Sequence, residues 1–177
     1  MLLHYFNIKE NIDKKNAENI YLIIIKKIKF IIVDKEFDIK NNLNTSVQLT
    51  TIILICIFYG SKIGKNKKNK KINEELMKLF VSDLDHSLRL SGIGDMSIGK
   101  NVKFYVKKFY SQLKKLEHIF QNNNLKEFTK FLKSTDIIDE DLKLKDLSNF
   151  MFNNSVKLIN NVKNNEVKNS NISIFFN

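Results

Sequence analysis

The chain predicts an all-α fold, a single compact bundle of about five to six helices, on three observations. Apolar residues recur at three- and four-residue spacing in segment after segment, as in Ile72, Leu76, Phe80, Leu84 and Leu88. Glycine and asparagine clusters separate those segments, with Gly92 and Gly94 at one boundary and residues 122–124 at another. Apolar residues make up 43% of the 177, an ordinary share that excludes a wholly disordered chain. The length fits one domain with tails: an N-terminal tail over 1–12, a helical domain over 13–162 and a polar tail over 163–177.

The first helix is expected over 13–33. Asp13 or Asn16 caps it, and Ile20, Ile24, Lys27/Ile28 and Ile31 follow at helical spacing. β-branched residues dominate 21–33 and keep a strand open, but lysines at 26, 27 and 29 do not alternate, which favours helix. Residues 34–44 read as a loop. The second helix starts at Asn44 or Thr45 and runs to Tyr59, with Gly60 as its C-cap. It is apolar nearly all round, the mark of a central helix. Lysines interrupt the apolar run 20–33, and the run 49–59 falls short of the ~20 residues that span a bilayer. Both read as buried helices. Residues 61–71, SKIGKNKKNKK, read as a basic, solvated linker.

The third helix is expected over 73–91. Asp85 and Arg89 form an i,i+4 pair opposite its apolar stripe. Asp83 falls inside the apolar arc, between Leu76, Leu79 and Phe80. Its carboxylate needs a partner there, either turn amides or a lysine of the next helix. Gly92 and Gly94 stop this helix, and Ser97 is the expected N-cap of the fourth, over 97–121. Ile98, Val102, Tyr105, Phe109, Leu113, Leu116 and Phe120 form the fourth helix's stripe, with Lys100, Lys103, Lys107 and Lys114 along one flank. A short helix over 125–132 and a last helix over 141–162 complete the bundle; 172–176 (ISIFF) stays unassigned.

The formal net charge is +11. It has two readings: an anionic partner such as nucleic acid, ribosome or membrane, or lysine filling solvated positions under codon bias, alongside abundant Asn and Ile. Arg89 is the only arginine, which leaves bidentate phosphate recognition poorly supplied. Cys56 is the only cysteine, so an internal disulfide is excluded and a reducing compartment fits. His4, His86 and His118 are scattered and make no metal site. The first fifteen residues lack the pattern of a signal peptide.

Residues 94–100 match G-x-x-x-x-G-K. A phosphate loop follows a strand and carries Ser or Thr next, whereas here a helix precedes and Asn101 follows. The dinucleotide pattern fails at Ser97, where its third glycine would stand. Asp83, Asp85 and His86 do not make an acid–base site, because Asp83 and Asp85 point to opposite helix faces. Catalytic residues, a cofactor and a small-molecule substrate are therefore not expected.

The segment 80–110 nevertheless carries a specific pattern: Phe80, Asp83-Leu84-Asp85, Leu88-Arg89, Gly92-Ile93-Gly94-Asp95, Gly99-Lys100, Val102-Lys103 and Phe109-Tyr110. This block resembles the ubiquinol–cytochrome c chaperone family, the assembly factors for cytochrome b of respiratory complex III. About thirty residues match closely, and weaker agreement extends upstream to about Tyr21. Asn101 stands where the family usually has a basic residue, and the basic run 62–71 reads as a local insertion. The resemblance implies a non-enzymatic, membrane-associated helical chaperone. It would work on the cytoplasmic or mitochondrial matrix side, peripheral to the inner membrane. Its implied partners are newly made cytochrome b, a second small assembly factor and the ribosome; the basic flank of the fourth helix is also compatible with an anionic membrane surface.

Under that resemblance Asp83, Asp85, Arg89, Gly92, Gly94, Gly99, Phe109 and Tyr110 are the motif's structural positions. Asp95, Lys100, Lys103 and Lys107 are the expected partner-facing ones. A basic helical ribosome- or RNA-binding module is the alternative, and scarce arginine argues against it.

Overall fold

The computed structural model describes residues 2–33, 37–65, 67–138 and 141–174. Among them are seven helices: α1 (Leu2–Val33), α2 (Leu43–Ile63), α3 (Lys67–Leu90), α4 (Asp95–Gln121), α5 (Leu125–Lys133), α6 (Asp141–Asn164) and α7 (Asn169–Ile174). The all-α expectation holds. Residues 34–36 of the expected loop, Asn66 of the expected linker and 175–177 of the expected tail lie outside the described residues.

Helix α2 is the axis of the bundle, packed chiefly on α6 and also on α1, α3 and α4. Every residue from Val47 to Ile57 is buried, as its all-round apolar composition requires. At 21 residues α2 is long and apolar enough to cross a membrane, longer than the run 49–59 implies, but here protein encloses it. Several of its polar side chains are satisfied locally or across the core, whereas the buried Thr45 hydroxyl has no hydrogen-bond partner among the described residues. The Thr50 hydroxyl donates to the Ser46 carbonyl at 2.7 Å, and Ser61 donates to Ile57 at 2.8 Å. Gln48 accepts from Gln112 of α4 at 2.9 Å. The Cys56 thiol is buried, and burial pushes its pKa up to about 12, so it behaves as a small apolar residue.

Several helix ends differ from the sequence expectation. Helix α1 begins at Leu2, so 2–12 continue the helix rather than forming a tail. Helix α2 is capped by Asn42, whose side chain accepts the Thr45 N–H at 2.9 Å. Gly60 is not a C-cap; it lies inside α2, where a Cβ would stand 2.8 Å from the Ile159 carbonyl oxygen of α6. The cap is Gly64, where a Cβ would lie 2.2 Å from the Lys163 carbonyl oxygen. These glycines are set by how closely two helix backbones approach, not by turn conformation.

The expected linker 61–71 is mostly helix: it holds the end of α2 and the start of α3. Long-range partners pin it. Asn69 is buried; its side-chain carbonyl accepts the Val167 N–H at 3.0 Å, and Lys68 pairs with Glu166 at 2.5 Å. The C-terminal segment is likewise not a loose polar tail. Val167 and Ile172 are buried, and α7 packs on α1 and α6. Helices α5 and α6 close the far end with packed, mutually tilted rings, the Phe128 centroid lying 5.4 Å from that of Phe152 and 5.8 Å from that of Phe120 at the end of α4. An isolated antiparallel bridge, Ile39 to Ile138, ties the segment before α2 to the one before α6.

The glycine contacts predict that Gly60→Leu destabilises the bundle by about 2 kcal/mol or more through overpacking at the α2–α6 contact. Gly99→Ala, where nothing lies within 4 Å of the added methyl, should not lower stability. Urea unfolding followed by circular dichroism measures both.

Candidate functional site

The corner between α3 and α4 is a built structure. Helix α3 ends with Gly92 at φ +81°, its N–H bonding the Arg89 carbonyl at 3.1 Å, and with the Ile93 N–H bonding Leu88 at 3.3 Å. This paired arrangement needs a left-handed residue after the helix, which glycine supplies without steric cost. Ile93 then packs back on the core.

Gly94, not Ser97, is the N-cap of α4; its backbone is extended and its carbonyl accepts the Ser97 N–H at 2.8 Å. Asp95 follows in the first turn, where a carboxylate complements the helix dipole. The G-x-x-x-x-G-K match thus lies in a helix cap and the first turns of α4, with no phosphate-cradling loop.

Arg89 staples the corner. Its guanidinium donates to Asp85 at 2.8 Å and to Asp95 at 2.5 Å. Those bonds, Asp85's first, raise its pKa further. Asp95, expected to face a partner, is thereby occupied within the corner, although its side chain is 85% exposed.

Asp83 does not face the core. It sits at the exposed edge of α3, and its partner is neither a turn amide nor a lysine. The Tyr21 hydroxyl of α1 donates to it at 2.9 Å. Burial first, and then the Asp83 charge, drives the Tyr21 hydroxyl pKa far above its usual range. Asp83 and Asp85 do lie on different faces, as helical phasing requires.

Beside the corner a groove of about 1270 Å³ opens between α3 and α4 over the C-terminal part of α2. That exceeds the roughly 300–1,000 Å³ of small-molecule pockets. Met77 and Val81 of α3, Val102 and Val106 of α4, and Phe58 of α2 give it an apolar lining. Lys62, Lys70, Lys78 and Lys103 also line it, with Glu74 and Asp85 as its carboxylates. Gly99 borders the groove and is not required there by space or by φ, so its effect is to leave backbone uncovered. The Asn73 side-chain oxygen, also at the groove, is buried without a hydrogen-bond partner among the described residues.

Tyr110 lines the groove while 52% exposed, its ring edge-on to Phe109 at 5.6 Å. Phe109 itself is buried between Phe58 and Phe80, with centroids at 5.7 and 5.8 Å. Of the expected partner-facing lysines, Lys103 lines the groove, whereas Lys100 and Lys107 are exposed and do not line it. Sequence reasoning missed Met77, Val81 and Val106. The available signal was the width of the apolar arc on α3, where Met77 and Val81 extend the stripe beyond what one neighbour covers.

His86 and His118 are both exposed, and no cluster of metal-ligating side chains occurs among the described residues.

A family model described as ubiquinol-cytochrome C chaperone matches residues 35–149, a segment that contains the corner and the whole groove. A solved structure titled as the Cbp3 homolog from Brucella abortus superposes with a TM-score of 0.75. It is 18% identical, over 98% of this chain and 93% of that one. At that identity the likeness shows a shared fold. No curated protein sequence matches.

The Tyr21–Asp83 bond predicts that Tyr21→Phe lowers unfolding free energy by about 1 kcal/mol, because the acceptor can turn to water while the α1–α3 tie is lost. Chemical denaturation of the two proteins at equal concentration measures the difference.

Proposed function

The chain belongs to the ubiquinol–cytochrome C chaperone family, and on that premise we propose that it is a non-enzymatic chaperone that holds cytochrome b during assembly of respiratory complex III. The observation that carries this reading is the apolar, lysine-bordered groove inside the family-matched segment. A client that is itself a membrane protein exposes apolar helix faces before it is inserted and packed. An open groove between two helices suits such a face, in the manner of an amphipathic helix laid in a hydrophobic channel.

Lys103 and its neighbours across the groove would meet acidic groups at the client's flanks, and Gly99 would let client backbone approach α4. The contact is open to solvent along its length, which favours release. A chaperone must let its client go. Lys100 and Lys107 complete the proposed partner-facing set but lie outside the groove, toward a partner other than the client, with Asp95 acting through Arg89. The proposed location is the cytoplasmic or matrix face of the inner membrane, where a second small assembly factor and the ribosome would also be within reach.

Deleting the gene should lower assembled cytochrome b while its transcript persists. Val81→Glu/Val106→Glu, which places two carboxylates in the groove, should accumulate as a folded protein yet fail to restore assembly. Its capture of cytochrome b from detergent-solubilised membranes should fall at least about tenfold, since each unpaired charge costs a kcal/mol or more against an apolar face. Normal complex III in the deletion strain would sink the proposal.

A further inference from the structure

Between Met96 and Lys115, α4 carries six lysines and no carboxylate. Lys100, Lys107 and Lys114 recur at seven-residue spacing and so follow one line along the helix, turned away from the buried Ile98, Phe109 and Leu116. All three are exposed, and none has a carboxylate partner among the described residues. Some lysines elsewhere are neutralised: Lys40 by Asp136 at 2.7 Å, Lys62 by Glu117 at 2.8 Å, Lys130 by Glu127 at 2.9 Å and Lys143 by Asp38 at 2.8 Å.

The same line bears large apolar side chains in water. Met96 is 101% exposed and Phe104 is 59% exposed, four residues to either side of Lys100. The face runs about 28 Å along the helix.

We infer that this outer face of α4 is a docking surface for an anionic lipid bilayer. Both halves of its chemistry find a partner there. Lysine ammonium groups sit among acidic headgroups while Met96 and Phe104 enter the boundary below them, and the lysine stems span the two levels. RNA would use the lysines but leave Met96 without a partner. The one arginine, which would recognise phosphate with two bonds, is held by Asp85 and Asp95. The inference does not rest on the client reading, because Lys100, Lys107, Met96 and Phe104 lie outside the groove.

Purified full-length protein sedimented with phosphatidylcholine vesicles, with and without phosphatidylglycerol, tests it. Binding should require the anionic lipid and weaken with salt. Lys100→Glu/Lys107→Glu/Lys114→Glu should reduce partitioning at least about tenfold. Met96→Asp/Phe104→Asp should reduce it several-fold at unchanged helicity. Val81→Ser/Val106→Ser, which alters the groove without changing charge, should bind vesicles as wild type does, which separates this surface from the groove.

The chain has no tryptophan. Phe104→Trp therefore gives a single reporter, whose emission should shift to the blue on anionic vesicles and be quenched by brominated lipid. Equal binding to neutral vesicles, or an unshifted indole emission from the Phe104→Trp protein, overturns the inference. So does a Met96→Asp/Phe104→Asp protein that binds vesicles normally; such a protein binding structured RNA would mark the face as a polyanion site instead.

Discussion

The backbone contact of α2 with α6 at Gly60 and Gly64 is the constraint on which the rest of this architecture depends. A helix with apolar residues on every side is stable in water only when enclosed, and burying that surface is the main gain in folding. Enclosure needs neighbours on all sides, and at Gly60 and Gly64 the α6 backbone comes too near to admit even a methyl group. With α6 held there, α1, α3 and α4 cover the remaining sides of α2. The segment joining α6 to α7 is anchored to the start of α3 through Asn69 and Lys68. The basic stretch between α2 and α3 is thus part of the scaffold.

The corner at Gly92 aims α4 back along α3, and Arg89 locks it by holding one carboxylate from each side. Helix α4 consequently presents three different faces around its circumference. One side is core, through Ile98, Phe109 and Leu116. A second lines the groove, through Val102, Lys103 and Val106. A third faces outward with lysines and exposed Met96 and Phe104. A client site and a membrane-facing surface on adjacent sides of one rigid helix would keep a membrane protein close to the bilayer it must enter. The proposed function and the inferred lipid surface join in that respect, though each stands on its own residues.

Much of the fold was legible because it rests on local periodicity. The stripe from Ile72 to Leu88 is buried throughout, and so are Ile20, Ile24, Ile28 and Ile31. The family pattern over 80–110 was legible because its glycines and charged residues stand in fixed order around one turn, and the Gly92 geometry accounts for that order. Other features depend on contacts far apart in the chain. Asp83 meets Tyr21, 62 residues away, so a helical wheel drawn for α3 alone placed it toward the core. Gly60 looked like a cap because a glycine after an apolar run usually is one; the α6 backbone that forbids a side chain there is invisible locally.

The sequence by itself determined the helical class, the positions of the buried stripes and the corner, because spacing at 3.6 residues and the φ freedom of glycine are properties of short segments. It also determined the lysine-rich, acid-free stretch of α4 between Met96 and Lys115. The tertiary structure alone decided which apolar residues remain uncovered. Met77, Val81 and Val106 have core-type side chains, and only the separation of α3 from α4 makes them a groove. It also decided that Lys40, Lys62 and Lys68 are neutralised, since Asp136, Glu117 and Glu166 reach them from far along the chain. Burial and long-range charge pairing belong to the arrangement of elements, and no single segment carries them.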